Sequence, residues 1–99
     1  MTMKALDRST VEALIAFSEQ AELDNLTGEL VRLSPEAIAE LKALVWLGRD
    51  EESPKHWEAL VIEARFQLDD QTTQVIAGIP DLGAFPREGL ARLESAGRI

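Results

Sequence analysis

The stretch Ser34-Pro35-Glu36-Ala37-Ile38-Ala39-Glu40-Leu41-Lys42-Ala43-Leu44-Val45-Trp46-Leu47-Gly48 decides the fold class. Ser34 is placed to cap the orphan amides of a helix start, and Pro35 falls at the first helical position, where its missing donor costs nothing. Leu33 and Ile38 stand at the spacing of a hydrophobic staple across that start. Ile38, Leu41, Leu44 and Val45 form one apolar stripe, while Ala39, Ala43, Trp46 and Leu47 cover much of the back. A helix apolar nearly all round needs neighbours on several sides, so residues 34–47 are expected to form the central helix. Gly48 is expected to end it as a left-handed cap. Glu40 is expected to be a solvated position whose truncation changes stability little.

Working outward, Asp50-Glu51-Glu52 supplies negative charge suited to the positive end of a following helix, and Ser53-Pro54 repeats the cap-plus-proline device. That helix, over 54–68, carries two stripes: Trp57, Leu60, Val61, Ala64 and Leu68 on one face, Ala59, Ile62 and Phe66 on the opposite one. Upstream, Ser9-Thr10-Val11-Glu12 reads as a capping box with Ser9 as the cap, opening an amphipathic helix through Val11, Leu14, Ile15, Phe17 and Ala21 to about Leu23. Asp24-Asn25-Leu26-Thr27-Gly28 reads as a turn. Downstream, Asp69-Asp70 offers a cap for a short helix carrying Val75 and Ile76, closed by Gly78-Ile79-Pro80. The last segment, 82–93, follows a helical pattern of Leu82, Phe85, Leu90 and Leu93. Pro86 and Gly89 interrupt it, predicting a kink or a late start, and Gly89 also suits a close helix contact. No strand-like alternation or internal repeat is present. The expectation is an all-α fold: a compact bundle of four to five short helices around a central apolar helix, one domain over 1–99.

Composition agrees. With 99 residues, 45% hydrophobic and 28% charged, the chain resembles an ordinary globular domain. Size scaling predicts a folded surface of ~5,600 Å². Ten Lys and Arg against eighteen Asp and Glu give a net charge of −8. The basic residues are scattered singly from Lys4 to Arg98, so neither nucleic acid nor an anionic membrane is an expected partner. The absence of cysteine excludes disulfides and thiolate chemistry and fits a reducing compartment. No signal-peptide pattern and no membrane-length apolar run is visible, so the cytoplasm is the expected location.

From Gly28 onward the order of features resembles a bacterial family, the domain of unknown function family 3775. The residues that carry the likeness are Ala43-Leu44-Val45-Trp46-Leu47-Gly48-Arg49, then Trp57 after an acidic gap, Ala64, and Ile79-Pro80-Asp81-Leu82 leading to Glu88-Gly89-Leu90. The likeness covers about 28–93 and leaves the first helix outside. Asp50 departs from the glycine the family tends to place there, and Pro86 from an apolar residue. The resemblance implies a helical domain and brings no activity, ligand or catalytic residue with it.

Few residues carry chemistry. Arg49, after the helix stop, suits either an anion hook or the blander task of bonding the last carbonyls and pairing with Asp50 or Glu52. His56 is the only histidine, and a metal would need more ligands gathered beside it than the sequence supplies. Trp46 and Trp57 suit packing better than ligand stacking. Asp50-Glu51-Glu52 lacks the alternation and central glycine of a calcium loop, and Gly78, Gly83 and Gly89 match no phosphate-binding pattern. No catalytic residue, metal or cofactor is assigned, and the inventory disfavours an enzyme. The leading reading is a protein–protein interaction module that homodimerises through Ala59, Ile62 and Phe66. The alternative is a small-molecule-binding or hydrolytic protein with a helix-end pocket near Arg49 and His56.

Overall fold

The structure, a computed structural model, describes residues 5–20, 22–49, 53–69, 72, 76 and 84–97. Among the described residues, helices α1 (Arg8–Glu19), α2 (Leu23–Arg32), α3 (Pro35–Arg49), α4 (Trp57–Phe66) and α5 (Ala84–Ser95) carry the fold, with a 3₁₀ turn, Pro54–His56, leading into α4. No strand occurs among the described residues. The chain is all-α, as expected.

Helix α3 is the centre. Its Ala37, Ile38, Ala39, Leu41, Ala43, Leu44, Val45 and Leu47 are all buried, α5 packs along it most extensively, and α4 covers a second side. The Ser34 hydroxyl accepts the Ala37 N–H at 3.2 Å, so the cap expected there forms. Gly48 does not end the helix, which runs on to Arg49. A Cβ at Gly48 would lie 2.1 Å from the Phe85 carbonyl oxygen, and one at Gly89 would lie 2.5 Å from the Leu44 carbonyl oxygen. Both glycines serve the close crossing of α3 and α5, as anticipated for Gly89 alone. The left-handed cap is found instead at Gly97, with φ 73°, whose N–H bonds the Glu94 carbonyl at 3.0 Å beyond α5.

The expected turn at 24–28 is a helix. Leu26 and Leu30 sit one turn apart and are fully buried; covering two such side chains contributes roughly 3–6 kcal/mol. The helix penalty of Gly28 is about 1 kcal/mol, and Asp24, Asn25 and Thr27 add a few tenths each. Burial therefore wins, and α1 ends at Glu19 instead of near Leu23.

Other helix starts also differ in detail. Asp7, not Ser9, precedes α1, and its side chain makes no capping bond. Ser53 caps nothing with its hydroxyl; its carbonyl accepts the His56 N–H at 2.9 Å, closing the 3₁₀ turn. Pro86 falls at the third residue of α5, where no intrahelical donor is required, and is buried without breaking the helix. Asp69 and Thr72 close a turn on each other: the Asp69 N–H donates to the Thr72 hydroxyl at 2.9 Å, that hydroxyl donates to Asp69 Oδ1 at 3.2 Å, and the Thr72 N–H bonds the Asp69 carbonyl at 3.2 Å. Thr72 and Ile76 are helical and buried. Val75, the Gly78-Ile79-Pro80 stop and Leu82 lie outside the described residues.

Glu40 overturns its expected role. It is 4% exposed, and Oε1 accepts the backbone N–H of Ala5 at 2.9 Å and of Leu6 at 2.7 Å. The segment before α1 leaves two donors that need an acceptor, and Glu40 supplies it from the central helix. The accessible surface is 5666 Å², close to the value expected from size. The radius of gyration of 12.1 Å matches the roughly 12.6 Å of a folded chain this long.

Candidate functional site

The faces of α4 separate as its two stripes predict. Trp57, Leu60 and Ala64 are buried against the core, with Val61 and Leu68 packed partly against it. Ala59 is exposed, Ile62 is 58% exposed and Phe66 is 86% exposed. Phenylalanine at that exposure stands out in a chain with five aromatic residues. Ile62 and Phe66 border an apolar groove of about 520 Å³ between α4 and α3, floored by Ala39 and Val61. Its rim carries Glu36 and Arg65, paired at 3.5 Å. Val31, 65% exposed on α2, lies outside this groove.

A second concavity, of about 170 Å³, lies between the C-terminal half of α3 and the segment that follows α4. Lys42, Trp46 and Arg49 reach it from one side of α3 at the i, i+4, i+7 spacing of a single face. Val45 and Ile76, both buried, are its apolar lining, and Gln67, Asp69 and Thr72 complete it. Lys42 Nζ lies 5.3 Å from the centroid of the Trp46 ring and donates to Gln67 Oε1 at 3.3 Å. Arg49 thus borders a pocket at the end of α3. His56 is not in its lining; it is an exposed residue of the 3₁₀ turn.

No group of three or more His, Asp or Glu side chains placed to hold a metal occurs among the described residues. Among the described residues a marked titration effect falls on Arg8. The hydrogen bond it donates to Glu94, then the charge of that carboxylate, raises the guanidinium above its ordinary value. This is an exposed structural pair, at 3.2 Å, with a second partner in Glu12.

Sequence reasoning named Arg49 and the Ala59, Ile62, Phe66 stripe. It missed Lys42 as a neighbour of Trp46 and Arg65 as a rim charge. Both were legible from helical spacing, Lys42 four residues before Trp46 and Arg65 three after Ile62.

Fold and site together define an all-α protein with an exposed apolar helix face. The family profile for Protein of unknown function (DUF3775) matches residues 20–95, and the chain belongs to that family. No curated protein and no solved structure matches it.

Proposed function

We propose that this protein is a non-catalytic protein–protein interaction module that homodimerises through the outer face of α4. The observation that carries the reading is the exposure of Ile62 and Phe66 over an apolar groove. A second copy suits this face because its rim holds one charge of each sign. Glu36 and Arg65 pair within the protomer, and a two-fold axis passing between the two rims would let each also face its opposite on the second copy, as a self-complementary surface requires. Covering the exposed parts of Ile62 and Phe66 on both protomers contributes roughly 4–9 kcal/mol, against an association cost of roughly 4–15 kcal/mol. That balance describes a weak, concentration-dependent dimer, not an obligate one. No helix among the described residues is long and apolar enough to cross a membrane. A reducing, cytoplasmic setting fits a chain without cysteine.

The test is mass by light scattering over a concentration series, for the wild type and for Ile62→Glu/Phe66→Glu. The wild type is expected to move toward twice 10.9 kDa as concentration rises, while the double variant stays at the monomer mass with an unchanged helical circular dichroism spectrum. Two charges in the interface are costly and harmless in water. A wild type that remains monomeric throughout overturns the proposal, as does a double variant that dimerises like the wild type.

A further inference from the structure

Phe66 is the aromatic side chain that the fold leaves out. Trp57 is buried, Phe17, Trp46 and Phe85 pack partly against the core, and Phe66 alone of the five stands 86% exposed. At that exposure its ring lies on the lip of the groove beside α4 and does not fill it. The groove, of about 520 Å³ over a floor of Ala39 and Val61, has ample room for a phenyl ring, since a cavity of ~150 Å³ holds benzene. Resting on the reading that two copies associate through this face, we propose that each copy seats its Phe66 ring in the groove of the other. Shape selects this seating over two rings stacked on each other at the axis. Stacked rings would leave both grooves empty, and an apolar hollow without partner atoms forfeits the dispersion attraction of its lining. Reciprocal seating fills both hollows and covers both rings. Charge selects an aromatic occupant. The rim carries the Arg65 guanidinium, beside Glu36 at 3.5 Å, and a guanidinium plane favours the face of a ring over an aliphatic side chain. Ring and groove stand on one face of one chain, so a single two-fold axis makes both contacts at once.

Ile62 borders the groove and Phe66 supplies the ring, so the two halves of the contact can be broken on different chains. Both positions are exposed, and substitution there leaves the core intact. Ile62→Glu puts a charge in the seat and keeps the ring, whereas Phe66→Lys removes the ring and keeps the seat. By light scattering over a concentration series, each variant alone is expected to associate about tenfold or more weakly than the wild type, because both contacts of its dimer press a charge onto apolar surface. Mixed in equal amounts, the two are expected to associate about tenfold or more tightly than either alone. The Phe66 ring of one chain then meets an intact groove on the other, and the two introduced charges, opposite in sign, meet in the second seat. Circular dichroism checks that both variants fold. Isotope-filtered NOE spectra of mixed labelled and unlabelled wild-type chains read the contact without any substitution, with cross-peaks expected from the Phe66 ring of one copy to the Ala39 and Val61 methyls of the other. A wild type that stays monomeric overturns the dimer reading and this proposal together. A wild type that dimerises while the mixture associates no better than its components, or while the Phe66 ring contacts its own counterpart in place of those methyls, overturns the ring-in-groove seating alone, as does a Phe66→Lys variant that dimerises like the wild type.

Discussion

Replacing Gly48 by alanine tests whether the close crossing of α3 and α5 holds the fold together. The added Cβ would stand 2.1 Å from the Phe85 carbonyl oxygen and 3.0 Å from the Gly89 nitrogen. Ordinary contact begins at 3.4 Å, so the two backbones would have to part by roughly 1.3 Å. A backbone oxygen has no rotamer to escape into. A gap of 0.5–1 Å already forfeits about a quarter to a half of the dispersion attraction across it, and the buried leucines of these helices, Leu44, Leu47, Leu90 and Leu93, are where it would open. Overpacking of this kind costs about 3 kcal/mol, the upper end of the usual range. Alanine recovers about 1 kcal/mol of helix propensity, leaving a net loss of about 2 kcal/mol and a fall in Tm of roughly 10 °C. Gly28→Ala is the matched control, since nothing lies within 4 Å of a Cβ there. It should gain the propensity alone, about 0.5–1 kcal/mol. Urea and thermal melts followed by circular dichroism measure both. A Gly48→Ala protein as stable as Gly28→Ala would refute the reasoning, because it would mean that the crossing relaxes freely.

Three further outcomes are expected. Glu40→Ala should destabilise by about 1–3 kcal/mol in urea melts, because it strips the acceptor from the Ala5 and Leu6 amides; a change of a few tenths would show that water replaces it without loss. Leu44→Ala, at a fully buried site on the central helix, should cost about 2–5 kcal/mol. Gel shifts with duplex DNA or RNA at physiological salt should show no binding, given a net charge of −8 and dispersed basic residues; a micromolar complex that weakens steeply with salt would contradict this.

The central helix was legible because several independent signals coincided on it: the Ser34 cap, Pro35 at the first position and an apolar surface nearly all round. The outer stripe of α4 was legible because helical spacing alone separates Ile62 from Leu60 and Phe66 from Ala64. The failures share one physical cause. Gly28 and Gly48 were read through local backbone preference, and in both places a contact distant in sequence decided the conformation: the burial of Leu26 and Leu30 for one, the approach of α5 for the other. Glu40 failed similarly. Its position on α3 marks a polar strip, but nothing local announces that the amides of Ala5 and Leu6, about 35 residues away, arrive at its carboxylate. At Pro86 the late start, one of the two outcomes expected there, is what forms: the helix opens at Ala84, and a proline in its first turn is harmless where the same residue one turn later is not.

Helix α1 shows how burial and the flanking backbone divide the work of docking an element. The family match begins at residue 20, just where α1 ends, yet α1 is bound into the same core by Val11, Leu14 and Ile15. Covering those three side chains contributes roughly 5–9 kcal/mol, enough to fix that α1 docks but indifferent to which way it runs. Direction is set by its ends. Arg8, at the start of α1, pairs with Glu94 near the end of α5, and Glu19, at the end of α1, pairs with Arg87 near the start of α5. The two helices therefore run antiparallel. Reversing α1 would bring Arg8 toward Arg87 and Glu19 toward Glu94, two like-charge pairs in place of two opposite ones. Exposed ion pairs of this kind add little to stability, so they agree with a direction already held by the Glu40 bonds to the Ala5 and Leu6 amides before α1 and by the short link from Glu19 to Leu23 after it.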